Sequence, residues 1–254
     1  MITLTTDFGT RSPFVAAMKG VILSINPEAQ IQDLSHDLPP YDIRHACFFL
    51  SQCLPYFPPG TIHVVVVDPE VGTRREVLLV EMNRTMLLVP DNGCWTLLER
   101  HAGSDLQVRR LSSRRYWRDQ VSSTFHGRDI LAPVAAHLSL GVSPDEMGSL
   151  TRDYRRISWP EPHLGPHSAE GQVVFVDHFG NLMTNLGRIH VGNGALRVYL
   201  GSDEIPQVTT YGEAKPGELV ALFGSGDLIE IAEVQGNASR RLNAGVGSSV
   251  RVEW

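Results

Sequence analysis

The sequence predicts a two-part α/β protein: an N-terminal layered α/β domain followed by a smaller domain made of strands alone. Strand and helix signals alternate up to residue 158, a proline-rich stretch follows, and short strand-like runs without a long helical stripe fill the remainder.

The elements follow in order. Residues 2–5 read as a short strand. Ser12 is expected as an N-cap with Pro13 at the first helical position. Phe14, Ala17, Met18, Val21, Ile22 and Ile25 recur at helical spacing and stop before Pro27. A second helix fits residues 42–54, with Ile43, Cys47, Leu50 and Leu54 along one stripe. Residues 62–67 form the strongest strand, and their continuous apolar character predicts burial on both faces of a helix-covered sheet. Residues 77–80 and 86–89 read as strands separated by Asn83 and Arg84, and residues 127–140 as a helix interrupted by Pro133. Pro160, Pro162 and Pro166 mark a linker. Beyond it, runs at 172–176, 196–200, 218–223, 228–234 and 249–253 predict a small all-β barrel or sandwich. The expected boundaries are 1–158, a linker at 159–167, and 168–254.

Composition narrows the function classes. The 254 residues are 42% hydrophobic and 20% charged, as in an ordinary globular protein. Twenty-two basic against 28 acidic residues give a net charge of −6, which argues against nucleic acid as a partner. Cys47, Cys53 and Cys94 are too few for a disulfide framework, and free thiols fit a reducing compartment. No run approaches the ~18 apolar residues of a membrane span, and the N-terminus lacks the pattern of a signal peptide. A cytoplasmic protein without membrane association is expected. Ten histidines show no metal-binding spacing, so no metal site is expected.

Two carboxylates attract attention by position. Asp7 ends the first strand, and Asp68 follows the strongest one. Ligands of open α/β sheets bind at the carboxyl ends of strands. A carboxylate at Asp7 can accept two hydroxyls, as ribose recognition requires, or it can organise the turn. Asp68, in Asp68-Pro69-Glu70-Val71-Gly72-Thr73, either faces a cleft or belongs to an ordinary strand-to-helix turn. Asp7-Phe8-Gly9 is not a kinase magnesium motif, because no Gly-rich loop or strand lysine precedes it. The glycines of residues 224–227 lie between strands, which excludes a dinucleotide fingerprint.

The order of these motifs is more specific than any one of them. Thr6-Asp7-Phe8-Gly9, Asp68-Pro69 with Val71-Gly72-Thr73-Arg74-Arg75, Pro90-Asp91-Asn92-Gly93, Thr124-Phe125-His126-Gly127-Arg128-Asp129 and Asp177-His178-Phe179-Gly180-Asn181 together resemble the S-adenosyl-L-methionine hydrolase (adenosine-forming) family. These SAM hydroxide adenosyltransferases are related to the fluorinase and chlorinase. The resemblance implies an N-terminal α/β/α domain with a central sheet and a C-terminal β-barrel. It also implies a homotrimer with each site shared between one subunit's N-terminal domain and its neighbour's C-terminal domain. The implied reaction is attack of water or hydroxide on C5′ of S-adenosylmethionine, the small-molecule substrate, releasing adenosine and L-methionine. The family's catalytic triad falls on Asp68, Arg75 and His126, and its ribose-binding acid on Asp7. Asp177 matches the acid that holds the methionine amino group, Asn181 the adenine contact, and Ser225 the serine at the methionine carboxylate. Three positions depart from the halogenating relatives or the wider family: Thr10-Arg11-Ser12 replaces an acid, Gly226 an arginine, and Glu70 a frequent glycine.

A sulfonium leaves readily, so this chemistry needs a positioned nucleophile rather than a general acid, and no metal or other cofactor is expected. Two other functions use the same features. A halogenase would share the scaffold, but a carboxylate at Asp68 repels halide where halogenating relatives carry an uncharged residue. A nonenzymatic sensor of S-adenosylmethionine or adenosine would not need the triad.

Overall fold

The computed structural model describes residues 1–192 and 194–254 and divides into two units, residues 1–157 and 158–254. In the first unit, β1 (Ile2–Thr6), β2 (Ile31–Ser35), β3 (Ile62–Val66), β4 (Val77–Met82), β5 (Thr85–Pro90) and β6 (Gln107–Arg110) form one sheet in the order β2-β1-β3-β5-β4-β6. All run parallel except β4, which is antiparallel to both neighbours. The chain leaves β1 for one side and returns through β3 on the other. The carboxyl ends of β1 and β3 therefore flank a topological switch point, where such sheets open a crevice.

The apolar run of β3 works as its composition implies. Val64 and Val66 pack with Leu4, Met18, Ile22 and Leu131 on one face, whereas Val65 and Val67 pack with Ala46, Leu50, Leu87 and Trp95 on the other. Helices α1 (Phe14–Ile25) and α4 (Ala132–Ser139) contribute to the first layer, and α2 (Ile43–Cys53) and α3 (Thr96–Glu99) to the second. This is the expected α/β/α sandwich.

Two helix ends differ from expectation. Pro13, with φ −73°, occupies the cap position of α1 without a side-chain cap, so Ser12 does not serve as one. The helix expected over residues 127–140 begins as a π turn, Gly127–Leu131, and becomes α-helical only at Ala132. Pro133 has no N–H and sits in the first turn of α4, where none is required. Asp42 caps α2 by accepting a hydrogen bond from His45 N at 2.9 Å. Strands β2 and β6 escaped the sequence reading because Ile-Gln-Asp-Leu-Ser and Gln-Val-Arg-Arg carry few apolar residues.

The second unit is all-antiparallel apart from one bridge. Its strands are β7 (His163–Leu164), β8 (Ser168–Val176), β9 (Leu182–Gly187), β10 (Arg197–Leu200), β11 (Asp203–Ile205), β12 (Leu219–Phe223), β13 (Leu228–Glu233) and β14 (Ser249–Glu253). They run in the order β11-β10-β14-β8-β9-β13-β12, with β7 attached to β8. Ala221 N donates to Pro206 O at 2.8 Å and Val208 N to Ala221 O at 3.0 Å, which nearly closes the sheet into a barrel. Val173, Leu182, Leu186, Ile231 and Val250 fill its interior, and α5 (Ala238–Leu242) packs Ala238 against them. Among the described residues no helix is long and apolar enough to cross a membrane.

Candidate active site

The register Thr6↔Val66 between β1 and β3 brings the residues that follow them, Asp7 and Asp68, to the same edge of the sheet. A cavity of about 350 Å³ opens there, lined by Asp7, Asp68 and His126 among others. Its apolar wall is a trio of rings. Phe8, Phe14 and Phe125 meet edge-to-face with centroids 5.3–5.7 Å apart.

Arg75 connects Asp68 with His126. Its Nε donates to Asp68 Oδ1 at 2.9 Å and its Nη2 to Asp68 Oδ2, a bidentate pair. The same Nη2 lies 3.0 Å from His126 Nδ1. The pair is nearly enclosed, with side-chain exposures of 1% for Arg75 and 6% for Asp68, so its geometry is not loosened by solvent. A guanidinium can only donate, so Nδ1 of His126 is the acceptor and the ring is neutral, with its proton on Nε2. Burial, the largest influence, and the Arg75 charge lower the His126 pKa, while Asp68 and Asp129 act the other way. Arg75 Nη1 is buried and has no hydrogen-bond partner among the described residues.

The surrounding loops are pinned from several sides. Asn92 Nδ2 donates to Val67 O at 2.8 Å and steadies the end of β3. Glu70, a departure from the expected glycine, pairs with Arg155 at 2.5 Å. Gly72 has φ +80°, and a Cβ there would stand 2.2 Å from Ser123 O, so only glycine lets the 68–75 and 122–126 segments meet. Asp129 is fully buried. It receives Arg128 on both oxygens at 2.7 and 2.9 Å, Arg118 at 3.2 Å and Ser122 N at 2.9 Å, which ties down the loop carrying His126.

Asp7 Oδ2 accepts from Tyr41 N at 2.8 Å. Burial raises the Asp7 pKa, opposed by its backbone hydrogen bonds and assisted by the charge of Asp68. Tyr41 itself has φ +66° and is exposed at the cavity rim. Sequence reasoning missed it and the Phe8–Phe14–Phe125 wall, although the turn-forming Pro39-Pro40 immediately before an aromatic was a signal.

The remaining expected residues lie in the second unit. Asp177 and Asn181 line a separate open cavity of about 750 Å³ with Phe179, Tyr211 and Glu230. Asp177 Oδ1 accepts from Phe179 N and Asn181 N, and its Oδ2 accepts from Asn181 Nδ2, all at 2.9 Å. The carboxylate thus organises its own turn and orients the Asn181 amide. Ser225 is exposed in the turn between β12 and β13 and does not line this cavity. Tyr211 donates to Glu230 Oε1, a contact the sequence did not reveal. Desolvation raises the Glu230 pKa against that hydrogen bond, with the Asp177 charge adding to the rise. Among the described residues no group of three or more His, Cys, Asp or Glu could hold a metal ion.

Comparison with known proteins places this geometry among relatives. Residues 2–148 match the family model described as the SAM hydroxide adenosyltransferase N-terminal domain, and residues 171–251 match its C-terminal domain. A protein named (R)-S-adenosyl-L-methionine hydrolase from Thermus thermophilus is 36% identical, with 97% of this chain and 96% of the relative covered. Another of the same name from Methanocaldococcus jannaschii is 35% identical, with 96% and 92% covered. A fluorinase from Nocardia brasiliensis is 26% identical, with 100% and 96% covered. The crystal structure of an uncharacterized conserved protein from Thermotoga maritima superposes with a TM-score of 0.92 at 33% identity, covering 100% of both chains.

Proposed function

The chain belongs to the SAM hydroxide adenosyltransferase family, and from that premise we propose that it is an enzyme hydrolysing S-adenosyl-L-methionine to adenosine and L-methionine. The observation that carries the mechanism is the Asp68–Arg75–His126 chain of hydrogen bonds beside a cavity that also holds Asp7.

Asp7 receives the ribose hydroxyls, which leaves C5′ toward Asp68 and His126. A water oxygen attacks C5′ as the C5′–S bond breaks, and the bonding pair returns to sulfur, converting a sulfonium into the neutral thioether of methionine. The water must also lose one proton. His126 already uses its Nδ1 lone pair toward Arg75 and carries a proton on Nε2, so it donates to the nucleophile. Asp68 keeps acceptor capacity beyond its Arg75 bonds and takes the proton. The ring wall of Phe8, Phe14 and Phe125 limits competing water and strengthens these polar contacts. Because the sulfonium is its own leaving group, the reaction calls for no cofactor.

Asp177, Asn181 and Ser225 are assigned to the methionine amino group, adenine and methionine carboxylate. We further assign the protein to a homotrimer in which the first unit of one subunit and the second unit of its neighbour complete each site, and to the cytoplasm, consistent with its free thiols. Halogenation is the less favoured reading. The fluorinase relative is more distant than the hydrolases, and the Asp68 charge opposes a halide at the position of attack.

The test is direct. Purified protein incubated with S-adenosylmethionine should yield adenosine and methionine in equal amounts on chromatography. Methylthioadenosine or S-adenosylhomocysteine as the enzymatic product overturns the assignment.

A further inference from the structure

One part of the first unit has no role in the mechanism above, yet it is built around the turn that carries Asp7. Strand β2 pairs with β1 in simple register through Leu4↔Asp33 and then skips a residue, so that Thr5 faces Ser35. Such a bulge re-aims the residues beyond it. Here His36 arrives next to Thr6, where both residues are more than nine-tenths buried. Its Nδ1 lies 3.0 Å from Thr6 Oγ1, and its backbone carbonyl accepts Gly9 N at 2.7 Å. On its far side Nε2 stands 3.0 Å from Asp33 Oδ1, close enough for electrostatic pairing although its N–H is not aligned for a full hydrogen bond. Asp33 is in turn held by Lys19 Nζ at 2.6 Å.

This arrangement assigns the protons. The Asp33 carboxylate favours the imidazole proton on Nε2, which leaves Nδ1 to accept the Thr6 hydroxyl proton. Thr6 Oγ1 also accepts from Phe8 N at 3.2 Å. The hydroxyl thus uses its single hydrogen on His36 and turns a lone pair to the backbone just after Asp7. His36 therefore grips this segment at both ends, through Thr6 before Asp7 and through Gly9 after Phe8.

We infer that His36 is a positioning residue for substrate: through Thr6 and Gly9 it fixes the backbone of residues 6–9 and so aims the Asp7 carboxylate at the ribose. The inference rests on the ribose role proposed for Asp7. His36 does not line the cavity that holds Asp7, Asp68 and His126, so its loss should weaken binding while leaving the Asp68–Arg75–His126 chemistry intact.

Steady-state kinetics with S-adenosylmethionine on four variants tests this. Asp7→Ala checks the underlying role and should raise KM. His36→Leu removes the acceptor for Thr6 and should raise KM about tenfold with kcat within about twofold, the scale of one lost buried hydrogen bond. His36→Asn places an amide oxygen where Nδ1 was and should return KM to within about threefold of the parent. Thr6→Val deletes the same bond from the other side and should match His36→Leu, which covers the case in which the leucine variant does not fold. The inference is overturned if Asp7→Ala raises KM while Thr6→Val and any folded His36→Leu do not. It is also overturned if asparagine is as damaging as leucine, or if kcat falls with no change in KM. An unchanged KM in Asp7→Ala removes the ribose reading itself, and the inference with it.

Discussion

Arg75 Nη2 lies 3.0 Å from Nδ1 of His126, so the imidazole is held as a hydrogen-bond acceptor on that nitrogen and must be neutral in the resting site. Protonation would set an N–H against a guanidinium and break the chain to Asp68.

Activity should therefore fall on the acid side as His126 gains a proton. Burial and Arg75 hold its pKa below the ordinary 6.5. The rate should be level above 6.5 and decline as pH drops through the lower value. The same sign applies to stability, because a depressed histidine contributes fully above its unfolded value and loses that contribution as pH falls through its folded one. A pH–kcat profile with its acid break at or above 6.5 contradicts the assignment.

Replacing Asp68 by Asn should lower kcat by ~10²–10⁴-fold while affecting binding much less, since the proposed mechanism has this group act on the nucleophile. In parent enzyme run in oxygen-labelled water, mass spectrometry should find the label at the 5′-hydroxyl of adenosine and none in methionine. Added chloride or fluoride should give no 5′-halo product. A full rate in Asp68→Asn returns this residue to the role of an ordinary turn carboxylate.

Asp129 predicts a stability effect. Its buried carboxylate accepts from Ser122 N and from the part-exposed Arg118 and Arg128, and losing hydrogen bonds to a charged group typically costs ~1.5–3 kcal/mol. Asp129→Ala should lose about that much in denaturant unfolding. Burial tends to raise the Asp129 pKa, but Arg128, Ser122 and Arg118 together bring it below the ordinary 3.8. The difference from parent should then persist from neutral pH to about that value and shrink below it. A gap that disappears already near pH 6 has another origin.

A shared site predicts complementation. With the chemistry assigned to Asp68 and the adenine contact to Asn181, mixed assemblies of Asp68→Ala and Asn181→Ala chains should regain part of the activity lost by each alone. Mixed oligomers verified by mass and still inactive count against a composite site.

Much of this architecture could be read from residue order, and the exceptions have physical causes. The β-branched run of β3 announces a strand covered on both faces, whereas Asp7 and Asp68 at strand ends are equally compatible with ordinary turns until the order of motifs is considered. The bidentate Arg75–Asp68 pair could not be derived from spacing, because it depends on how the intervening turn bends at Gly72. Tyr41 and the clasp of His36 on Thr6 were hidden for a related reason. One depends on a left-handed backbone angle and the other on a bulge in a polar strand, and neither leaves a periodic trace. Ser225 is singled out by resemblance alone, since it lies exposed in a turn.

The contact between Gly72 and Ser123 also has a consequence in time. The two residues stand far apart along the chain, and Arg75 bridges a similar separation when it joins Asp68 to His126. Local hydrogen bonds can build α1 and α4 early, whereas closing such long loops carries an entropic cost that slows the step. The Asp68–Arg75–His126 arrangement is consequently assembled late, after the segment around residue 123 has docked against the turn at residue 72. During refolding from denaturant, far-ultraviolet circular dichroism should recover before hydrolysis does. A larger side chain at position 72 should reduce the hydrolysis finally recovered far more than it changes the early signal.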